Sequence, residues 1–295
     1  MALSVFIRFI RFIRVPLVFC ITSSAFASIT ATDDLGRKVE LKQPAQRIVT
    51  LAPFLTELAF SAGAGGKLVG VSAYSDFPPE ARALPEVASA TGIALEPLAA
   101  LRPDLVLAWA DTIRKEDIGR IEGLGAPVFV VRTRRLDDAP RVLGSIARLA
   151  GTDASKTALA YRERIAGLRR SHAAAVPLPV LVEIWSQPLT TIGAGHWIDE
   201  ALEACGARNA FDDVPGIAPQ LDWELVYRRD PRVIVGMGEA DTRAQFESRW
   251  ALRPALSAVR AKRLVYVDAD LLQRPTLRLA EGVARLCEGI DRVRR

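Results

Sequence analysis

LEPLAALRPDLVLAW at Leu95–Trp109 and WELVYRRDPRVIVGM at Trp223–Met237 carry one pattern. In each, a glutamate (Glu96, Glu224) stands seven residues before a proline (Pro103, Pro231), and an apolar run follows. Proline cannot continue a helix and biases its predecessor away from helical backbone, so each stretch reads as short helix, corner and strand. Neither apolar run alternates with polar residues, as expected of strands covered on both faces in a parallel sheet.

Working outward, the same alternation recurs. RIVTL at Arg47–Leu51 reads as a strand and TELAFSAG, ending at Gly63, as a helix. LVGVSAY at Leu68–Tyr74 is a second strand, cut by the turn Ser75–Pro79. Helix IRKEDIGRIEGLG and strand APVFVV complete the first half. The second half offers strand PVLVEIW, helix-forming TTIGAGHWIDEALEACG, a helix around Thr242–Trp250 and strand LVYVD at Leu264–Asp268. Glu57 precedes Gly63 by six residues, and Glu200 precedes Gly206 by six. Matched elements in order predict an α/β fold of two similar three-layer lobes with mostly parallel sheets. Residues 28–150 and 176–295 form the lobes, joined through 151–175. Within that connection, Asp153–Ala175 has high helix propensity and no proline. A helix of about 22 residues would span about 33 Å, and lobes hung on one stiff helix should close only slightly.

The first 27 residues stand apart. MALSVFIRFIRFIRVPLVFCITSSAFA has three arginines, a short apolar stretch and a terminal Ala-Phe-Ala, the pattern of a cleaved secretory signal. Its apolar run is well short of the roughly 20 residues that span a bilayer, and bulky Phe19 does not suit lipidation of Cys20. The leader holds three of the 39 basic residues and none of the 34 acidic ones, so the rest carries a net charge of only about +2. No single-sign field speaks for nucleic acid.

Without Cys20, two cysteines remain, Cys205 and Cys287. In an oxidising compartment they could bond; buried free thiols are the alternative. A zinc site wants three or four ligands at characteristic spacing, and His172 and His196 are isolated, so no metal is expected. GAGGKL at Gly63–Leu68 fails as a phosphate loop at Ser61 and Leu68, and Gly193–Gly195 lacks the third glycine of a dinucleotide fingerprint. There is no GxSxG or HExxH, so no enzyme chemistry is expected; an exported hydrolase using Glu183, Asp199 or Glu200 is the distant alternative. Phe54, Tyr74, Trp109, Trp185, Asp270 and Arg274 instead collect at predicted strand ends, where open α/β sheets bind ligands.

At RIVTLAPFLTELAFSAG, VGVSAYSDFPPEA, LEPLAALRPDLVLAW, LEACGARNAF and DLLQRPTLR the chain resembles the periplasmic substrate-binding proteins of ABC importers for cobalamin, haem and iron–siderophores. Its cobalamin-binding branch is the most similar, over nearly the whole chain after the leader. The resemblance implies a monomeric periplasmic receptor, without cofactor, that binds a cobalamin-like corrinoid between its lobes. It places Pro53, Phe54, Tyr74 and Trp109 at the ligand, with Asp270, Leu271, Leu272, Gln273 and Arg274 in the last contact loop; Trp185 could replace lost aromatic surface. It pairs Cys205 with Cys287, and it docks Glu96 and Glu224 on arginines of the two importer membrane subunits. The same acids also suit helix N-termini without any partner. Ala90, Ala218 and the pair Leu271-Leu272 depart from the branch's aromatics, which keeps haem or a ferric siderophore open as ligand.

Overall fold

The computed structural model describes residues 28–294; the signal-peptide expectation for residues 1–27 lies outside them. The chain starts with an antiparallel hairpin, β1 (Ile29–Thr32) and β2 (Lys38–Leu41). Its turn is set by Asp33, whose carboxylate accepts from the backbone N–H groups of Leu35 and Arg37. Then follow β3 (Ile48–Thr50), α1 (Pro53–Ser61), β4 (Leu68–Ser72), β5 (Glu86–Ser89), β6 (Gly92–Ile93) and α2 (Leu95–Ala100). Strand β7 (Leu105–Trp109), α3 (Lys115–Gly123), β8 (Val128–Val131) and α4 (Asp138–Ala150) complete the first half. The six strands from β3 to β8 form one sheet in the order β6-β5-β4-β3-β7-β8, parallel except for the edge pair β5–β6.

After α5 (Ser155–Ser171) come β9 (Leu178–Glu183), the two-stranded hairpin β10 (Trp185–Ser186) and β11 (Leu189–Thr190), α6 (Trp197–Ala204) and β12 (Ala207–Asn209). Then α7 (Trp223–Arg229), β13 (Val233–Gly238), α8 (Arg243–Ala251), α9 (Ser257–Arg260), β14 (Leu264–Asp268), α10 (Ala269–Leu272) and α11 (Leu279–Arg294) close the chain. A second sheet, β12-β9-β13-β14, is parallel throughout. The expected α/β architecture with two mostly parallel sheets is therefore the one observed.

Why the strands are apolar along their whole length is visible in the cores. Leu105 and Leu107 of β7 enter one cluster while Val106 and Ala108 enter another. In β9 and β13, Val180, Val182, Val233 and Val235 face one cluster, and Leu181 and Ile234 the opposite one. Side chains alternate across a strand, so both faces of each sheet are covered.

The repeated corner is real at the level of backbone. Arg102 and Asp230, each directly before its proline, take the left-handed conformation at φ 45° and 40°. Asp230 caps α7 and Arg102 follows Leu101, the cap of α2; in both halves the left-handed residue turns the chain toward the next strand.

The connecting helix is shorter than its composition suggests. Gly151, at φ 68°, ends α4, and α5 covers Ser155–Ser171, 17 residues or roughly 25 Å. It stops because the His172 ring bonds back to the Leu168 carbonyl at 2.8 Å and across to Asp291 of α11 at 3.0 Å. Along its length Ala158 packs into the first sheet's core, and Tyr161 and Ile165 into the second's.

Candidate functional site

Parallel strands give each sheet one carboxyl edge, and these two edges face each other. After β14, Arg274 Nη1 meets Asp76 Oδ1, which follows β4, at 2.6 Å. Four residues on, Arg278 donates through Nε and Nη2 to both carboxylate oxygens of Glu57 in α1, each at 2.8 Å. A third link joins the Leu136 backbone N–H to Glu200 of α6 at 3.0 Å, with Arg135 on the same carboxylate at 2.8 Å. The seam defined by these contacts lies beyond the strand ends, where ligands sit in open α/β sheets.

The turn after β4 is built to hold one aromatic out. Tyr74 is 78% exposed and sits at φ 62°, in the left-handed region, which costs a side-chain-bearing residue about 1–2 kcal/mol. Its neighbours fix it there. Below, Ser75 Oγ joins a buried hydroxyl chain, 2.9 Å to Thr56 Oγ1 and from there 2.7 Å to Thr50 Oγ1; beside it, Asp76 is held by Arg274. Strain kept by its surroundings is a common mark of binding sites. Tyr74→Gly should therefore be more stable than Tyr74→Ala by about 1 kcal/mol, since both lose the ring but only glycine relieves the backbone. Urea midpoints of the two variants check this.

The other residues divide by exposure. Trp185, on the β10–β11 hairpin, is 62% exposed and donates its indole N–H to the Gln187 carbonyl at 2.9 Å. Trp109, ending β7, is half-buried; its ring meets Phe54 edge-on with centroids 5.4 Å apart, and its buried indole N–H has no acceptor. Pro53 opens α1 and is half-buried, and Gln273 after α10 is exposed. Phe54, Leu271 and Leu272, which the resemblance places at the ligand, have buried side chains. Leu272 belongs to the second lobe's core and Phe54 to the first's, so these side chains support the site from behind, and the polar surface of the last loop is that of exposed Gln273 and half-buried Asp270.

The sequence marks neither Asp76 nor Glu57 as an ion-pair partner, and Glu57 stands out there only by its spacing to Gly63. Glu57 is the fifth residue of α1, 2% exposed and paired with Arg278. Phe77 lies over that guanidinium, 3.9 Å from ring centre to carbon. The available signal was an acid inside the apolar run TELAF and an arginine in the tail.

The carboxylates considered for hydrolysis are differently engaged. Glu183 is buried and bound by Arg249 and by the Trp250 indole N–H, the latter at 2.7 Å. Glu200 serves the inter-lobe link already described. Burial and the neighbouring Glu203 push Asp199 up to about 6. His196 accepts from the Ile198 N–H, and burial pushes it down to about 4. It is a neutral helix cap near pH 7. Among the described residues no group of three His, Cys, Asp or Glu side chains could hold a metal, and no helix is long and apolar enough to cross a membrane. Cys205 and Cys287 form a disulfide.

Glu96 and Glu224 occupy the first turns of α2 and α7, both exposed. Glu224 contacts only Arg228 of its own helix, at 3.1 Å. Each of these helices leads into a strand of its sheet, α2 into β7 and α7 into β13.

Two parallel-sheet lobes that meet at their carboxyl edges, with solvent-facing aromatics beside the seam, define a bilobal receptor-like class. Residues 48–271 match the periplasmic binding protein family, and the chain belongs to it. It is 33% identical over 246 residues to the vitamin B12-binding protein of Vibrio cholerae, covering 83% of this chain and 88% of that one. The crystal structure of the periplasmic vitamin B12 binding protein of Vibrio cholerae superposes with a TM-score of 0.79 at 32% identity, over 85% of this chain and 99% of that one. A periplasmic haem-binding protein from Pseudomonas aeruginosa is also similar, at TM-score 0.70 and 26% identity, over 83% of this chain and 92% of that one.

Proposed function

We propose that this chain is a periplasmic receptor that captures cobalamin or a related corrinoid in the seam between its lobes and delivers it to an inner-membrane ABC importer. The observation that carries the reading is the similarity to vitamin B12-binding proteins along 83% of the chain. The site supports it: a corrinoid is a broad apolar disc fringed with amides, and exposed Tyr74 and Trp185 offer aromatic surface. Pro53, Asp270, Gln273 and Arg274 complete the contact set, with Phe54, Leu271 and Leu272 behind it. Export depends on the leader at 1–27, and the mature chain acts as a monomer without catalysis. Lobes 28–150 and 176–295 turn slightly about 151–175. Titrating the mature protein with cyanocobalamin and following tryptophan fluorescence tests the reading; no saturable quenching at micromolar ligand would sink it. Likeness to a haem-binding structure makes haem the second reading, and the visible spectrum of the protein purified from cells grown with each ligand separates the two.

One exposed acid per lobe, in the first turn of the corresponding helix, suits a partner with two-fold symmetry. Charge-assisted contacts from Glu96 and Glu224 to membrane-subunit arginines would set register and orientation. The double variant Glu96→Ala/Glu224→Ala should lower corrinoid uptake by whole cells at least tenfold while the Kd of the purified receptor stays within twofold. Normal uptake would leave both acids as ordinary helix-end charges.

A further inference from the structure

Arg274 looks at first like an anion-binding group, because a guanidinium beside a ligand seam accepts a carboxylate or phosphate well. In this structure it is already occupied. Its Nη1 meets Asp76 Oδ1 at 2.6 Å from the opposite lobe, and its Nε meets Asp270 Oδ1 at 3.2 Å from its own. Arg278, the next arginine along, is matched by Glu57 through both donors. With Arg82 also acting on Asp76 and Asp268 on Arg278, three cations face four carboxylates, leaving this part of the seam with a small surplus of negative charge. Asp76 and Asp270 remain about half exposed at the ligand side while the guanidinium between them is mostly covered. An incoming group thus meets carboxylate oxygens before it meets the arginine.

We propose that Asp76 is a specificity determinant that rejects anionic ligands: it holds Arg274 neutralised and positioned, so that the seam accepts carboxamide-fringed, uncharged ligands over those bearing carboxylates or anionic iron chelates. This rests on the reading that the seam binds the ligand and deepens it by naming the charge class. Carboxamides can donate to the exposed oxygens of Asp76 and Asp270, whereas a carboxylate there adds a like charge within a few ångströms, in a region where water screens less than in bulk. The guanidinium holds the Asp76 carboxyl below its usual range, so it stays charged through neutral and mildly acidic pH.

The test uses the mature protein and Asp76→Asn, which keeps an acceptor for Arg274 and removes only the charge; Asp270→Asn serves as a second variant, and urea midpoints check that both fold. One arm compares cyanocobalamin, which has no net charge, with its monocarboxylate isomers, each of the same shape with one amide hydrolysed. The Kd ratio of acid to parent should fall about tenfold in Asp76→Asn for at least one isomer, with the difference shrinking in 0.5 M NaCl as salt screens the half-exposed charge, ~4 Å being the Debye length there. The other arm titrates hemin, whose propionates are anionic, and expects about tenfold tighter binding by Asp76→Asn than by the unmodified protein. Unchanged ratios in both arms overturn the charge selection, however tightly cyanocobalamin binds. A hemin gain in a protein that does not bind cyanocobalamin overturns the corrinoid reading and leaves the role of Asp76 standing.

Discussion

Arg278→Ala is expected to destabilise the protein by about 3–5 kcal/mol, the range for leaving one partner of a buried ion pair uncompensated. Glu57 is 2% exposed, and both its oxygens are served by Arg278. Removing the guanidinium would leave a 2% exposed carboxylate without the two donors that serve it. The loss includes the contact with Phe77, whose ring covers the guanidinium, worth about 0.5–1 kcal/mol where partly exposed. A buried pair need not be worth much relative to apolar residues of similar size, so Glu57→Met/Arg278→Met should recover most of the single variant's deficit. Urea unfolding monitored by circular dichroism reads both. A single-variant cost below about 1 kcal/mol would mean that the pair is solvated and behaves like a surface contact.

Removing the disulfide should be comparably costly. Cys205 closes α6 and Cys287 lies within α11; both are buried, and 82 residues separate them. That loop encloses β12, α7, β13, α8 and β14, most of the second sheet. On the chain-entropy account, freeing it in the unfolded state costs about 4–5 kcal/mol. Cys205→Ala/Cys287→Ala should therefore unfold at markedly lower urea, with the second lobe losing hydrogen-exchange protection before the first. Because both sulfurs are buried, dithiothreitol should leave the folded protein's midpoint unchanged on short exposure and lower it only after an unfolding cycle. A midpoint shift worth under about 1 kcal/mol in the double variant would show that the unfolded chain is already compact around this loop.

The repeated helix–corner–strand stretch made the architecture legible, because proline placement and unbroken apolar runs are local signals. The left-handed residues Arg102 and Asp230 confirm that both copies turn by one device. The β1–β2 hairpin escaped notice since its strands, four residues each, are too short and too polar to stand out. The extent of α5 was overread at both ends, because propensity sees neither the Asp153 carboxylate that accepts from the Ser155 N–H before its start nor the His172–Asp291 contact after its end. At the candidate site, Tyr74 and Trp185 emerge exposed as strand-end aromatics suggest. Phe54 and Leu272 do not, since whether an apolar side chain faces a ligand or a core depends on partners far away in sequence. For the same reason Asp76 was invisible: its partner Arg274 lies 198 residues on.

The two arginine links across the seam differ in depth, and that difference gives the molecule a spine and a fore-edge. The Glu57 carboxylate is 2% exposed, whereas that of Asp76 is 41% exposed, and the Asp76–Arg274 link by itself is worth no more than about 1 kcal/mol. Prying the halves apart would break the outer link first and leave the inner one as a pivot. Opening the seam at its outer margin would therefore take far less work than parting the halves at Glu57 and Arg278.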